Sequence, residues 1–217
     1  LSATTITRLK KVWEAEYEGF RRRDLSQKDY VYLWADGVHL PIRLEEENLC
    51  LLVIVGVTRE GDKEVVAIED GYRESTESWA SVLRDLKRRG MKAPVLAVGD
   101  GALGFWAAVR NVWPQTKESR CWVHKIANIL DKLPKRLQPA AKRLLHEIMN
   151  AKDRETFSKE MNRFEAEYQA KYPKATDCLL KDRNALSVHF DFPAAHWKHL
   201  RTTNPIESAF ATVKLRT

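Results

Sequence analysis

The sequence predicts a mixed α/β domain, with a sheet of about five strands that carries helices on its faces, and a long all-helical region. Three strand-like segments come first, at 30–35, 49–58 and 64–69, and can pair through hairpins. Two more, at 95–98 and near 119–123, alternate with helical segments, which favours parallel pairing. After His124 the strand pattern stops and helical spacing takes over.

The first segment has helical spacing. Apolar residues recur every three or four positions from Thr5 to Arg23, and the segment ends in three arginines, Arg21 to Arg23. We interpret 1–29 as an N-terminal linker helix. The arginines could reach DNA phosphates, but the solvated basic end of an amphipathic helix explains them more simply.

The core elements follow in order over 30–124. Tyr30 to Ala35 is aromatic and β-branched, as in a strand that ends at Asp36, and turn residues at 59–62 join the next two strands. Ser75 or Thr76 caps a helix that Gly90 closes. A short apolar strand then leads to Gly99-Asp100, and a helix from about 105 to 112 is stopped by Pro114.

The last two segments are helical. Residues 125–200 are rich in Lys, Glu, Ala and Leu at helical spacing, with four prolines as punctuation, and we interpret them as an all-α insertion. Residues 201–217 form the last core helix, which begins with Asn204 as N-cap and Pro205 in the first turn.

The composition narrows the class of protein. Lys and Arg outnumber Asp and Glu by 37 to 30, a net charge of +7, which favours a polyanionic partner such as nucleic acid without requiring one. No signal peptide or membrane-spanning run is visible. The three cysteines are widely spaced, which favours a reducing cytoplasm over a disulfide framework.

Two aspartates follow predicted strands directly. Asp36 and Asp100 each lie at the carboxyl end of a strand, the edge at which open α/β sheets bind ligands. Each is followed by glycine, so an ordinary Asp-Gly turn is the competing explanation for either residue alone.

A third carboxylate, Glu207, has two explanations. With Asn204 as N-cap it falls at the position of a capping-box glutamate. It also lies at the edge of the apolar face formed by Ile206, Phe210 and Val213, so it can look toward the sheet. The sequence does not separate the two roles.

Asp36, Asp100 and Glu207 together predict a metal site. Three converging carboxylates repel one another unless cations neutralise them, and hard oxygen ligands suit Mg²⁺ or Mn²⁺. Two such ions can stabilise both the attacking and the leaving oxygen of a phosphoryl displacement.

Four stretches carry a resemblance to a known family: YLWADGVHLPIR around Asp36, VLAVGDGALGFWAAV around Asp100, RCWVHKIANIL, and HLRTTNPIESAFATVKLRT around Glu207. The sequence resembles the DDE transposases of the Mutator-like superfamily, in the branch of bacterial insertion sequences. The resemblance covers essentially the whole chain. It implies a ribonuclease-H-like mixed five-stranded sheet with an all-α insertion, and a DNA-recognition region that normally lies upstream.

The same resemblance implies the activity. Asp36, Asp100 and Glu207 would be catalytic and would bind two Mg²⁺ (or Mn²⁺) ions, for cleavage at the terminal inverted repeats and strand transfer to target DNA. The assembled complex would be a homo-oligomer in a bacterial cytoplasm, associated with the nucleoid.

The resemblance places Cys121 and His124 near the active site, where they could position DNA ends. Their neighbours Arg120, Trp122 and Lys125 suit phosphate contact and base stacking, and we add Arg201 and Asn204 to the expected DNA-binding set. A buried strand cysteine and a helix-capping histidine would be the structural alternative. Zinc binding with His196 and His199 is disfavoured, because Cys121-x2-His124 is only half of a site.

Two other functions stay open. A nuclease or resolvase of the same fold would cut without strand transfer, and a transposase-derived module could bind DNA without catalysis. The three carboxylates argue against the non-catalytic module, and the Cys-x2-His signature argues against a generic nuclease.

Overall fold

The computed structural model describes residues 2–40, 49–71, 75–101, 103–206 and 208. The strands are β1 (Tyr30–Leu40), β2 (Leu49–Thr58), β3 (Lys63–Gly71), β4 (Leu96–Gly99) and β5 (Lys117–Arg120). The helices are α1 (Ala3–Arg22), α2 (Thr76–Arg88), α3 (Leu103–Val112), α4 (Trp122–Leu130), α5 (Gln138–Met149), α6 (Arg154–Tyr168), α7 (Pro173–Leu180), α8 (Arg183–Ser187) and α9 (Trp197–Leu200).

The five strands form one mixed sheet in the order β3-β2-β1-β4-β5. The first three strands pair antiparallel, and β4 and β5 join parallel to β1. This order and these directions are those of the ribonuclease-H-like fold, so the predicted fold class is confirmed.

Two strand ends differ from the sequence prediction. β1 does not end at Asp36 but continues to Leu40, because β2 extends the antiparallel ladder beyond the end of β4. β5 ends at Arg120 rather than near Val123, because Cys121 is the N-cap of α4.

The two faces of the sheet bury different elements. Apolar residues of α2 and α3, among them Trp79 and Phe105, pack on the face that carries Leu33 and Ile54. The opposite face carries Trp34 and Val98 and is packed by Leu200 and Ile206. The chain that returns from the helical region therefore covers the second face.

Helices α4 to α8 have a core of their own. Trp122, Ile129, Phe157 and Phe164 belong to one buried cluster, and Trp122 is 0% exposed at the point where this cluster meets the sheet. Between 121 and 206, all of them described residues, the structure contains no strand.

Helix α1 lies along the edge strand β3. The Tyr17 hydroxyl donates to the Ile68 carbonyl at 2.8 Å, and Arg21 and Arg23 form ion pairs with Glu69 at 2.9 Å and Glu64 at 3.2 Å. Arg22 pairs with Glu18 at 3.0 Å. The three arginines that the sequence offered for phosphate contact are thus neutralised by carboxylates.

A buried ionic cluster joins the helical region to the sheet. Asp182, just before α8, accepts a hydrogen bond from Lys125 Nζ at 2.6 Å, and Arg120 Nε lies 3.7 Å from the same oxygen. Lys125 is 0% and Arg120 is 7% exposed, so both cations depend on this carboxylate. The Arg120 guanidinium also lies against Gly101, where a Cβ would overlap it.

No helix in the described part of the chain is long and apolar enough to cross a membrane. Cys50, Cys121 and Cys178 are all buried, and none of the three forms a disulfide bond with another.

The close approach of Gly101 and Arg120 gives a stability test with a matched control. Gly101 and Gly61 both have positive φ, +82° and +97°, but only Gly61 has open space around its Cα. We expect Gly61→Ala to cost about 1 kcal/mol of unfolding free energy and Gly101→Ala about 1–3 kcal/mol more, because the methyl group displaces Arg120. Denaturant unfolding measures both. If Gly101→Ala still cost more than Gly61→Ala in an Arg120→Ala background, the overlap with Arg120 would not be the cause of the difference.

His189 makes the stability of the helical region depend on pH. It is 1% exposed and packs on Phe190 and Trp197. Burial, aided by the charge of Arg201, lowers the pKa of His189 from 6.5 to about 3. Because the folded pKa lies below the unfolded one, this contribution to stability is complete above pH 6.5 and is lost as pH falls toward 3.

We therefore expect the unfolding free energy of the wild type to fall by up to about 1.4 kcal/mol per pH unit from this group in that window. His189→Gln should flatten the slope, measured by urea unfolding at several pH values. His146→Gln, at an exposed histidine, is the control. Equal slopes in the wild type and the His189 variant would show that folding does not lower the pKa of His189.

Candidate active site

Asp36 lies in β1, and Asp100 directly follows β4, the strand next to β1 in the sheet. The parallel register of β1 and β4 pairs Ala35 with Gly99, and the two aspartates are the next residue on each strand path. Neighbouring strands are about 4.8 Å apart, so the register places both carboxylates at one edge of the sheet.

Both aspartates stand on the face that carries Trp34 and Val98, because side chains alternate along a strand. Both are partly exposed. The Asp-Gly turn explanation does not hold for Asp36, which lies inside β1 and is followed by strand residues. It holds locally for Asp100, since Gly101 has a φ of +82°.

His124 supplies positive charge to this edge from the first turn of α4. Hydrogen bonding to the Cys121 side chain raises the pKa of His124 to about 9, burial opposes the shift, and the charges of Asp36 and Asp100 add to it. The protonated imidazole is therefore near enough to both aspartates for their negative charges to favour its protonation.

Cys121 ties the same turn to the segment that leads to Glu207. It is 0% exposed, and its sulfur accepts a hydrogen bond from the Thr203 backbone N–H at 3.4 Å. Burial raises the pKa of the Cys121 thiol, but hydrogen bonds with His124 and Thr203 outweigh burial and lower it.

Two further bonds hold the returning chain against the end of β5. The Trp122 backbone N–H donates to the Arg201 carbonyl at 2.8 Å, and the Ser119 hydroxyl donates to the Leu200 carbonyl at 3.0 Å. Residues 200–203 are thereby fixed next to the edge that carries the aspartates.

The last helix begins on the aspartate face. Residues 204–206 are helical, and Ile206 is 0% exposed in the cluster with Trp34 and Val98. Asn204 is thus the first helical residue rather than the cap that the sequence predicted, a shift of one position. Glu207 itself lies outside the described residues, so its convergence with the two aspartates stays a prediction.

The expected DNA-binding residues are mostly inaccessible in this structure. Trp122 and Lys125 are 0% exposed and Arg120 7%, the tryptophan in the helical core and the two cations on Asp182. These three side chains do not form an exposed surface here, and their contact with DNA stays a prediction. Of the rest, His124 and Arg201 are half-buried, and Asn204 is exposed.

The zinc alternative gains no support from the geometry. His196 shares a hydrogen bond with the Tyr32 hydroxyl at 2.9 Å, whereas Cys121 and His124 face Thr203 and the aspartates. Among the residues that the structure describes, no group of three or more His, Cys, Asp and Glu side chains could hold a metal ion. Glu207 is not among the residues searched.

Sequence reasoning missed two residues that organise this edge. Thr203 lies in the TTNPIE stretch, and its place directly before the start of a helix was a usable signal. Asp182 sits between Lys181 and Arg183 in the helical region and gives no signal, because its partners Lys125 and Arg120 are more than fifty residues away.

The chain is similar in sequence to bacterial transposases along its whole length. The chain is 60% identical over 217 residues to the transposase for insertion sequence element IS6120 from Mycolicibacterium smegmatis. The alignment covers 100% of this chain and 67% of that protein. It is 50% identical over 218 residues to the transposase for insertion sequence element IST2 from Acidithiobacillus ferrooxidans. That alignment covers 100% of this chain and 74% of the relative.

Among solved structures, the HTLV-2 integrase catalytic core domain in complex with magnesium aligns with 59% of this chain and 90% of its own, at 17% identity and a TM-score of 0.32. The fold assignment rests instead on the strand order and register. Residues 1–217 match the family described as "Transposase, Mutator family". This chain therefore belongs to the Mutator family of transposases.

Proposed function

We propose that this chain is the catalytic core of a DNA transposase that cleaves DNA at transposon ends and transfers the cut strand to target DNA. The observation that carries the proposal is the parallel register that sets Asp36 beside Asp100, with His124 facing both. The path of the chain into Glu207 across the same face adds to it, because Ile206 is buried there.

The donor set fits divalent metal ions. Two partly exposed carboxylates at one sheet edge are hard oxygen ligands, which Mg²⁺ and Mn²⁺ prefer over nitrogen or sulfur. We propose Asp36, Asp100 and Glu207 as the ligands of two such ions. When bound, the ions would stabilise the charge that develops on the attacking and leaving oxygens of a phosphodiester.

The residues of this chain hold that geometry before substrate arrives. The pairing of β1 with β4 sets Ala35 opposite Gly99, directly before the two aspartates, and Cys121 is hydrogen-bonded to Thr203, four residues before Glu207. His124 holds a positive charge at the same edge. Because these groups are already placed, little reorganisation is required during the reaction.

Two displacements at phosphorus make up the proposed reaction. In the first, a water oxygen attacks the phosphodiester at the transposon end, loses its proton, and releases a 3′-oxygen that leaves as a hydroxyl. In the second, that 3′-hydroxyl loses its proton and attacks a target phosphodiester, so that one phosphodiester forms as another breaks. The DNA partners are the terminal inverted repeats and the target, and we expect the assembled complex to be a homo-oligomer.

Removal of single carboxylate charges tests the catalytic assignment. In the full-length protein, Asp36→Asn, Asp100→Asn and Glu207→Gln should each lower cleavage of an end-containing duplex by about 10³-fold or more, because metal ligands act on the transition state. DNA affinity should change by less than about threefold, since phosphate contacts dominate it. Asp29→Asn, at the start of β1 and paired with Arg59 at 3.0 Å, is the control and should cleave normally.

The same assay separates the alternatives. Cleavage without strand joining would assign the chain to nucleases of this fold, and near-normal cleavage by Glu207→Gln would leave that residue a capping role only. Full activity of the Asp36 and Asp100 variants would refute the proposed site.

A further inference from the structure

The connection between α4 and α5 and the first turns of α5 form a strongly basic surface. Residues 132–146 contain no Asp or Glu, and no other acid-free stretch of the sequence carries as many cations. We call the five cations the α5 basic surface: Lys132, Lys135, Arg136, Lys142 and Arg143.

These five side chains are exposed and are not used inside the fold. All are exposed to solvent, and none takes part in the ion pairs that the structure records among its described residues. The arginine run at the end of α1 differs in this respect, since carboxylates pair with all three of its members. Five uncompensated cations attract a polyanion.

The loop that carries three of these cations is held in place. The Gln138 side-chain amide donates to the carbonyls of Leu130 at 2.9 Å and Leu133 at 3.2 Å. Leu133 is 5% exposed and packs in the core of the helical region. The positions of Lys132, Lys135 and Arg136 are therefore fixed at the backbone, which lowers the entropy lost when they bind a ligand.

The composition of the surface selects among partners. The large hydrophobic side chains exposed in the described part of the chain lie in α1 and at Val95 and Val123, outside 132–146. A membrane-binding helix or the centre of a protein interface would present such side chains. A purely cationic surface with apolar residues turned inward fits a phosphate backbone.

Helix α4 separates this surface from Cys121, which directly follows β5. α4 begins directly after Cys121 and has nine residues. A helix rises about 1.5 Å per residue, so the loop begins about 14 Å along the helix axis from Cys121. That distance corresponds to about four nucleotides along one strand of duplex DNA.

We propose that the α5 basic surface binds the phosphate backbone of duplex DNA, about four base pairs from the phosphodiester held at Asp36 and Asp100. This inference rests on the proposed function for the identity of the ligand. It replaces the buried residues Arg120, Trp122 and Lys125 with accessible ones.

Charge neutralisation with a matched control tests the proposal. One variant of the 217-residue chain carries Lys132→Gln, Lys135→Gln, Arg136→Gln, Lys142→Gln and Arg143→Gln. The control carries Arg→Gln at five exposed arginines that are each paired with a carboxylate: Arg22, Arg59, Arg84, Arg88 and Arg163. Each set removes five cations, so both variants have the same net charge, +7 − 5 = +2.

The affinity for a duplex is measured against salt concentration in EDTA, so that the outcome does not depend on metal or catalysis. The slope of log K against log salt should fall by about 0.9 for each phosphate that the variant no longer neutralises, up to about 4.5 in the surface variant. We expect its affinity at about 0.1 M salt to fall at least tenfold, and that of the control less than threefold. Equal decreases in the two variants, or no decrease in either, would overturn the proposal, whatever the carboxylate variants do to cleavage.

A tethered cleavage reagent locates the bound DNA. The native cysteines are buried, so a cysteine placed at exposed Ala140 can be labelled selectively with iron-EDTA. It should cut the bound duplex three to five base pairs from the cleavage site, whereas a label at Glu60→Cys, at the opposite end of the sheet, should not. Cutting from Glu60 alone would place the DNA elsewhere and refute the assignment.

Discussion

The parallel pairing of β1 with β4 is the constraint on which this edge of the sheet depends, because it brings the approaches to Asp36 and Asp100 together. The register ends with Ala35 opposite Gly99, so each of these paired residues is followed directly by one of the two aspartates. The first turn of α4 supplies the compensating charge, because His124 keeps its proton with a pKa of about 9. The divalent ions that we propose would add further positive charge at the same edge.

The turn from Cys121 to His124 also lies where the long helical region leaves the sheet, and the two ends of that region are held together beside the edge that carries the aspartates. The chain departs from β5 at Cys121 and returns at Leu200, and its two ends are joined by the bonds from Trp122 to Arg201 and from Ser119 to Leu200. Between them the helices bury their own core. Asp182 then reaches back to Arg120, which braces the Gly101 turn after Asp100. The helical region thus has a hydrophobic core of its own. It is also linked, through Arg120 and Gly101, to the turn that follows Asp100.

The sequence predicted the parts of this site that depend on local pattern. Strand periodicity located Asp36 and Asp100, and the order of the strands predicted their adjacency. It could not predict that Trp122 and Lys125 are buried, because an aromatic residue and a cation beside a strand end look the same whether they meet DNA or a distant partner such as Asp182. The end of β1 was missed for a similar reason, since the ladder to Leu40 depends on β2 rather than on the residues after Asp36.

Net charge alone does not indicate where a polyanion would bind, because that depends on which cations the fold pairs with carboxylates. The run Arg21 to Arg23 is the densest group of cations in the sequence. Each of its arginines nevertheless forms an ion pair with a carboxylate, from Glu69, Glu18 and Glu64 in turn. The cations of residues 132–146 are more widely spaced along the chain, but no carboxylate lies among them and α5 has no acidic residue in its first turn. Because exposed charges are screened within about 10 Å at 0.1 M salt, attraction of a polyanion depends on such local imbalance more than on the total of +7.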